Sequence, residues 1–381
     1  MAYGGLEKRE TEMMESRTRV AIAHDYLTQR GGAEKVVLAM ARAFPDAPIY
    51  TTLYEPETTF PEFASLDVRP SALNVVAPLR RNHRGALLAL PFVSNSITID
   101  ADIVLTSSSG WAHGFRTRGQ KIVYCYSPAR WLYQSDVYLG ESGGVKRAIL
   151  AAVGPALRAW DRRAAASAAR YLAISSAVQD RILDAYGITA SVLAAPHSID
   201  TMRDEEPVLG VGEDFYLCIS RLLPYKNVDR IIEAVSETPE RRLVIVGSGP
   251  EEARLAHRLP RNVTMLKDLS DGQLHWLYRR CRAVIAASYE DFGLTPIEGA
   301  AFGKPSAVLR WGGFLDTVVE GTTGVFFEEP TPGAIRDALD RLEVTDWNRE
   351  SIIAATDRFS EVRFQQALHN AVAAMAPMVM Q

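Results

Sequence analysis

Short, continuous apolar runs alternate along this chain with stretches whose apolar residues recur at helical spacing. Val20–Ala23 reads as a fully buried strand, and Val36, Val37, Met40, Ala41 and Phe44 after it lie on one face of a helix. The pattern predicts further strands over Ile49–Leu53, Ala72–Val76, Ile103–Ser107, Lys121–Ser127, Tyr171–Ile174 and Ser191–Ala195. A long Ala- and Arg-rich helix is expected over 145–170 and a shorter one ending at Tyr186. Asp200–Asp214 is acidic and aperiodic, the composition of an interdomain linker. The grammar then restarts, with strands over Phe215–Ser220, Leu243–Val246, Val263–Leu266, Val284–Ser288, Val308–Leu309 and Gly324–Phe327. Helices are expected around Val228–Val235, over Ser270–Cys281, from about Pro296, and near Pro332–Leu342 and Ser360–Met378. Strands alternating with helices in both halves predict an α/β protein of two doubly wound parallel sheets facing a cleft. The expected division is a lead-in of 1–19, a first domain of 20–205, a second of 206–355, and a C-terminal helix of 356–381 that packs back on the first domain.

Composition narrows the class. With 381 residues, 47% hydrophobic and 23% charged, the chain can bury two sizeable cores. Three cysteines without a C-x-x-C pair argue against a disulfide scaffold and against a zinc site. Residues 1–19 lack the apolar core of a signal peptide, and no apolar run is long enough to span a bilayer. A cytoplasmic location is the expectation, and no nucleic-acid partner is expected.

Candidate chemistry gathers at the ends of strands. In Glu290-Asp-Phe-Gly-Leu-Thr-Pro-Ile-Glu298, two acids flank a loop that opens a helix. Phe292, Gly293, Leu294 and Thr295 would present unpaired amides at the positive end of the helix dipole, a ready site for phosphate. An acid on each side suits a ligand with hydroxyls on both sides of its phosphates, such as a nucleotide sugar. Glu298 read alone equally suits a first-turn acid answering the dipole. Arg221 and Lys226 flank the loop after Phe215–Ser220 and could reach one diphosphate together. Gly31 and Gly32 precede a helix, where they would admit a ligand close to the backbone or simply make a tight turn. His113, in Ser107–Gly114 past a strand's carboxyl end, fits either a ligand-side or a structural histidine. Asp100-Ala-Asp102 has D-x-D spacing but precedes its strand, so a surface turn is the better reading. Arg80, Arg81 and Arg84 next to the apolar run 85–93 suit either an anionic membrane surface or a solvated helix end before a core helix.

The E-x₇-E element, together with Arg221, Lys226, Gly31-Gly32 and the SSSGWAHG loop, resembles the retaining GT-B glycosyltransferases of family 4 over roughly residues 20–375. The HDY…GGAEK opening and YCYSPARWLY most resemble members that use GDP-mannose, and length and overall pattern are similar to those that mannosylate phosphatidylinositol mannosides. The resemblance implies a GT-B fold of two Rossmann-like domains. It implies that Glu298 binds the ribose and Glu290 the sugar hydroxyls, with the amides of Phe292–Thr295 holding the distal phosphate. Arg221 and Lys226 would neutralise the leaving diphosphate, His113 would line the sugar pocket, and Gly31 and Gly32 would leave room where donor meets acceptor. It implies no metal and no cofactor beyond the donor, and a lipid-linked or glycan acceptor; the basic stretch 80–84 adds an anionic membrane surface, the inner face of the plasma membrane, as a further expected partner.

Two departures stand out. Pro196-His197-Ser198-Ile199-Asp200 replaces an Asn-Gly or Pro-Gly turn, and Lys267-Asp268 stands where a glycine is common. Rival readings are a nucleotide-sugar epimerase, a dinucleotide-dependent oxidoreductase or a membrane-surface binding module. The oxidoreductase is disfavoured by the absence of G-x-G-x-x-G after the first strand.

Overall fold

The computed structural model describes residues 18–81, 89–134, 144–257 and 259–375. It resolves into two compact units. One takes its described residues from 1–125, 148–172 and 365–381, the other from 126–147 and 173–364.

In the second unit, six strands form one parallel sheet in the order Val263–Leu266, Leu243–Val246, Tyr216–Ile219, Ala283–Ala286, Ser306–Leu309, Gly324–Phe327. Its strands are apolar on both faces because helices cover both. Leu217, Ile245, Val284 and Ala307 are wholly buried, each large aliphatic side chain being worth roughly 1.5–3 kcal/mol of transfer free energy. Val228–Ser236 covers one face with Val228, Ile231, Ile232 and Val235, the periodicity the sequence predicts. Taken in chain order the strands lie 3-2-1-4-5-6, so connections leave the first and fourth strands toward opposite sides. The crevice past their carboxyl ends is where such sheets bind ligands. The loops opening there are the one after Ile219 and the one after Ala286.

Six strands of the first unit's sheet repeat that order: Val68–Pro70, Ile49–Thr51, Val20–His24, Ile103–Ser108, Gln120–Cys125, Arg170–Ala173. The equivalent switch point lies past His24 and Ser108. The end of the helix Glu361–Ala373 belongs to this unit, where His369 Nε2 lies 2.8 Å from the Ala43 carbonyl and its ring meets Phe44 edge-on.

Two expectations need correction. Ala72–Val75 is a 3₁₀ turn, since the Ser71 hydroxyl accepts from Leu73 N–H at 3.1 Å and caps it. The third strand is Val68–Pro70, whose half-polar character suits a sheet edge. The helix expected from about Pro296 begins at Leu294, because Gly293 turns left-handed (φ 88°) and caps it. The basic and apolar stretch falls partly on 82–88, outside the described residues, as do residues 1–17 of the lead-in. Arg80 bonds Glu55 at 2.7 Å. No helix among the described residues is long and apolar enough to cross a membrane.

Candidate active site

The strand Ala283–Ala286 delivers the chain into the loop 287–293 and the helix Leu294–Ala301. Among the described residues, no acceptor takes the amide hydrogens of Phe292, Gly293, Leu294 or Thr295. The loop is held from beneath by Trp311–Phe314. Gly313 N–H donates to the Glu290 carbonyl at 2.9 Å, and a Cβ on Gly313 would stand 2.2 Å from Phe292 Cα. A Cβ on Gly312 would meet the Glu290 carbonyl at 2.2 Å. The Gly-Gly pair is therefore a close approach of two backbones, which fixes where the free amides point.

Lys226 reaches the same place from the neighbouring loop. The 3₁₀ turn Pro224–Lys226 ends at Asn227, itself left-handed (φ 52°), and the Asn227 side-chain Nδ2 donates to the Ala287 carbonyl at 2.8 Å, joining the two loops. Lys226 is buried and forms an ion pair with Glu290, whose carboxylate also accepts from the Ser288 hydroxyl at 3.1 Å. Burial alone would raise the Glu290 carboxyl, but the charges of Lys226 and Arg130 and the hydrogen bonds from Lys226 and Ser288 outweigh it and hold it below its usual range. Arg221, by contrast, is exposed, and among the described residues its guanidinium has no hydrogen-bond or ion-pair partner. The site thus offers one cation held in reserve by a carboxylate and one free.

Glu298 sits in the helix's second turn and accepts from the Tyr278 hydroxyl at 2.6 Å. Tyr278 is buried and stacked on Phe302 with ring centroids 5.4 Å apart. Burial first, then the Glu298 charge, push its phenol well above the ordinary value, so it stays a donor at neutral pH. One carboxylate oxygen of Glu298 is fixed in this way. Nearby, burial lowers the His197 imidazole against the pull of Glu298, and its Nδ1 is buried without a partner among the described residues. Asp291 binds two arginines, with Arg130 Nε at 2.7 Å and the Arg181 guanidinium on its other oxygen, while its carbonyl accepts from the Ser175 hydroxyl at 2.5 Å. Sequence reasoning gave no role to Tyr278, Asp291, Arg130 or Arg181. The clue for Asp291 was its place between two acids already singled out.

The remaining sequence-picked residues, Gly31, Gly32 and His113, belong to the first unit. Gly32 opens the helix Gly32–Ala43, and a Cβ on Gly31 would stand 2.5 Å from Glu34 Oε2. Glu34 is buried with its other oxygen 4.0 Å from His24 Nε2. His113 is buried, with Nε2 2.8 Å from Asp161 and Nδ1 3.1 Å from the Ser108 hydroxyl. Its loop is fixed by Asp25, a residue sequence reasoning passed over. The Asp25 carboxylate accepts from the amides of Ser109, Trp111 and Ala112 and from the Ser109 hydroxyl, at 2.6–2.9 Å. Among the described residues, no three His, Cys, Asp or Glu side chains are grouped to hold a metal.

Known proteins carry the same two parts. Residues 30–203 match the family described as Glycosyltransferase Family 4, and residues 202–358 match Glycosyl transferases group 1. The glycogen synthase of Haemophilus influenzae (strain PittGG) is 31% identical over 143 residues, which are 33% of this chain and 30% of that one. The O-antigen chain mannosyltransferase C of Escherichia coli is 27% identical over 164 residues, 41% of this chain and 43% of that one. The matches thus span less than half the length of these curated relatives. Among solved structures, Anabaena HepE in complex with UDP superposes with a TM-score of 0.68 at 19% identity, over 93% of this chain and 100% of that one. The lipopolysaccharide outer core galactosyltransferase WaaB gives 0.64 at 18%, over 93% and 99%. These likenesses show the fold, GT-B with its two Rossmann-like domains.

Proposed function

We propose that the chain is a glycosyltransferase of the family 4 type, in keeping with the two family matches, and that it moves a hexose from a nucleotide sugar to its acceptor with retention of anomeric configuration. The observation that carries this reading is the row of unpaired amides at Phe292–Thr295, with the Lys226–Glu290 pair on one side and Glu298 on the other. A distal phosphate at those amides would draw Lys226 toward its own charge. That leaves Glu290 to accept hydrogen bonds from sugar hydroxyls, while Glu298, steadied by Tyr278, takes those of the ribose.

In the reaction, the bond from anomeric carbon to phosphate oxygen breaks and the electron pair leaves with the diphosphate. The acceptor oxygen bonds on the same face and gives its proton to the departing phosphate. Arg221, Lys226 and the helix start supply the positive field where that charge develops. We assign the step no metal. Gly31, Gly32 and His113 keep the roles the family resemblance implies, the glycines leaving room where donor meets acceptor and His113 lining the sugar pocket, with His113 held in one orientation by Asp161 and Ser108.

The donor we propose is GDP-mannose. Mannosyltransferases among the relatives support it, including the alpha-1,3/1,6-mannosyltransferase ALG2 of Dictyostelium discoideum, 32% identical over 120 residues. The acceptor we propose is a lipid-linked mannoside of the phosphatidylinositol dimannoside class, mannosylated in α-1,6 linkage at the inner face of the plasma membrane. Exposed Val75 and Phe92 on the first unit suit an enzyme that approaches a lipid surface.

A thermal-shift panel of GDP-, UDP- and ADP-sugars tests the donor. GDP-mannose is expected to raise the midpoint most, because a ligand bound only by the folded state stabilises in proportion to its occupancy. A larger rise with a UDP- or ADP-sugar would overturn the base assignment, and no rise with any of them would overturn the donor site itself.

A further inference from the structure

We infer that the first unit holds a second anion site, a pocket for a phosphoryl group built around Lys121 and unrelated to the donor site. The pocket has a volume of about 530 Å³ and is lined by Lys121, Arg116, Arg163, Trp160, Asn95 and Ser167 among others. No Asp or Glu is among its lining residues. It lies at the amino end of the strand Gln120–Cys125 and beside the carboxyl end of the helix Gly144–Ala166. That is the opposite end of the sheet from the switch point past His24 and Ser108, so the proposed transfer chemistry does not account for it.

The argument rests on an uncompensated charge. Lys121 is 3% exposed, and its ammonium donates to the His113 carbonyl at 2.6 Å and to the Ser167 hydroxyl at 3.0 Å. Both acceptors are neutral, and among the described residues Lys121 makes no ion pair and its third N–H has no acceptor. A buried ammonium without a carboxylate is costly, and burial pushes this one down to about 8. Arg116 and Arg163 line the same pocket and pair with no carboxylate among the described residues. Three cations lining one pocket without a carboxylate suit an oxyanion of charge near two, and guanidinium forks match phosphoryl oxygens bidentately. Asn95 and Ser167 offer neutral polar groups for the rest of a phosphate ester. Since Lys121 also holds the His113 carbonyl, an occupant would stiffen the back of the loop that carries His113.

The phosphoryl group could belong to a soluble ester or to a lipid headgroup, and the test separates them. Binding of inorganic phosphate and of glycerol 3-phosphate is titrated calorimetrically, and flotation is measured with phosphatidylcholine vesicles with and without phosphatidic acid. The Lys226→Ala variant, with the proposed donor site weakened, serves as the reference and is expected to bind in at least one arm. Arg116→Ala and Arg163→Ala, both at exposed positions, are each expected to lose about tenfold in affinity or more, as for a charged hydrogen bond removed. Lys121→Met should lose at least as much. Arginine-dependent binding of the soluble anions supports a soluble ester, and arginine-dependent flotation alone supports a headgroup. Affinities unchanged in both arginine variants, or no binding in either arm, would overturn the site and leave Lys121 as a structural tie to His113.

Discussion

Replacing Lys226 by alanine is expected to lower turnover by about a hundredfold or more, with nucleotide-sugar KM changing far less. Lys226 is the buried cation of the proposed donor site, and its partner Glu290 holds it ready beside the free amides of Phe292–Thr295. Charge on the diphosphate grows only as the anomeric bond breaks, so its main effect falls on the transition state. Arg221 cannot replace it fully, since a guanidinium in open solvent acts through a higher dielectric. Initial rates across donor concentration, with circular dichroism confirming the fold, make the comparison. Turnover within a few-fold of wild type would remove the leaving-group role from Lys226.

Asp25→Ala should be the most damaging change to stability, on the order of 4 kcal/mol by urea denaturation. The wild-type carboxylate is 1% exposed and satisfies three amides and a hydroxyl of the loop that follows Ser108. Alanine would leave the Trp111 and Ala112 amides buried without an acceptor, while the donors of exposed Ser109 can turn to water, and each buried loss costs about 1–3 kcal/mol before relaxation. Asn at the same position keeps one accepting oxygen but turns its NH₂ toward donors, so it should recover only part of the loss. A loss below about 1 kcal/mol for alanine would mean the loop is fixed by other contacts.

Much of the fold was legible because parallel strands covered on both faces carry an unmixed apolar signal. Leu243–Val246, Val263–Leu266 and Gly324–Phe327 begin and end where the apolar runs do. The edge was harder. Val68–Pro70 carries an exposed arginine and a proline, while Ala72–Val75 looks apolar but is shaped by the Ser71 cap. The candidates for the proposed donor site were picked from charge at strand ends, since Arg221, Lys226, Glu290 and Glu298 all lie beyond or beside carboxyl ends of the switch-point strands. What could not be read was what holds each group. Tyr278 meets Glu298 across 20 positions, Arg130 meets Asp291 across 161, and Asp25 meets its loop across more than 80. Tertiary pairs of that kind leave no periodic trace in sequence. Likewise, the Lys226–Glu290 ion pair joins two residues that sequence reasoning had assigned to different parts of one ligand.

That pairing gives the site a resting state. In the proposed donor site the carboxylate would neutralise the lysine until a phosphate competes for it, and its release would free it for sugar hydroxyls. The free Arg221 and the unpaired amides need no such release.

A crystal structure of the protein soaked with GDP tests the central claim most directly. The account predicts the distal phosphate within hydrogen-bonding distance of the amides of Phe292–Thr295, with Lys226 turned from Glu290 toward it and Glu298 on the ribose. Diphosphate density elsewhere, with the Lys226–Glu290 pair intact and those amides untouched, would contradict it.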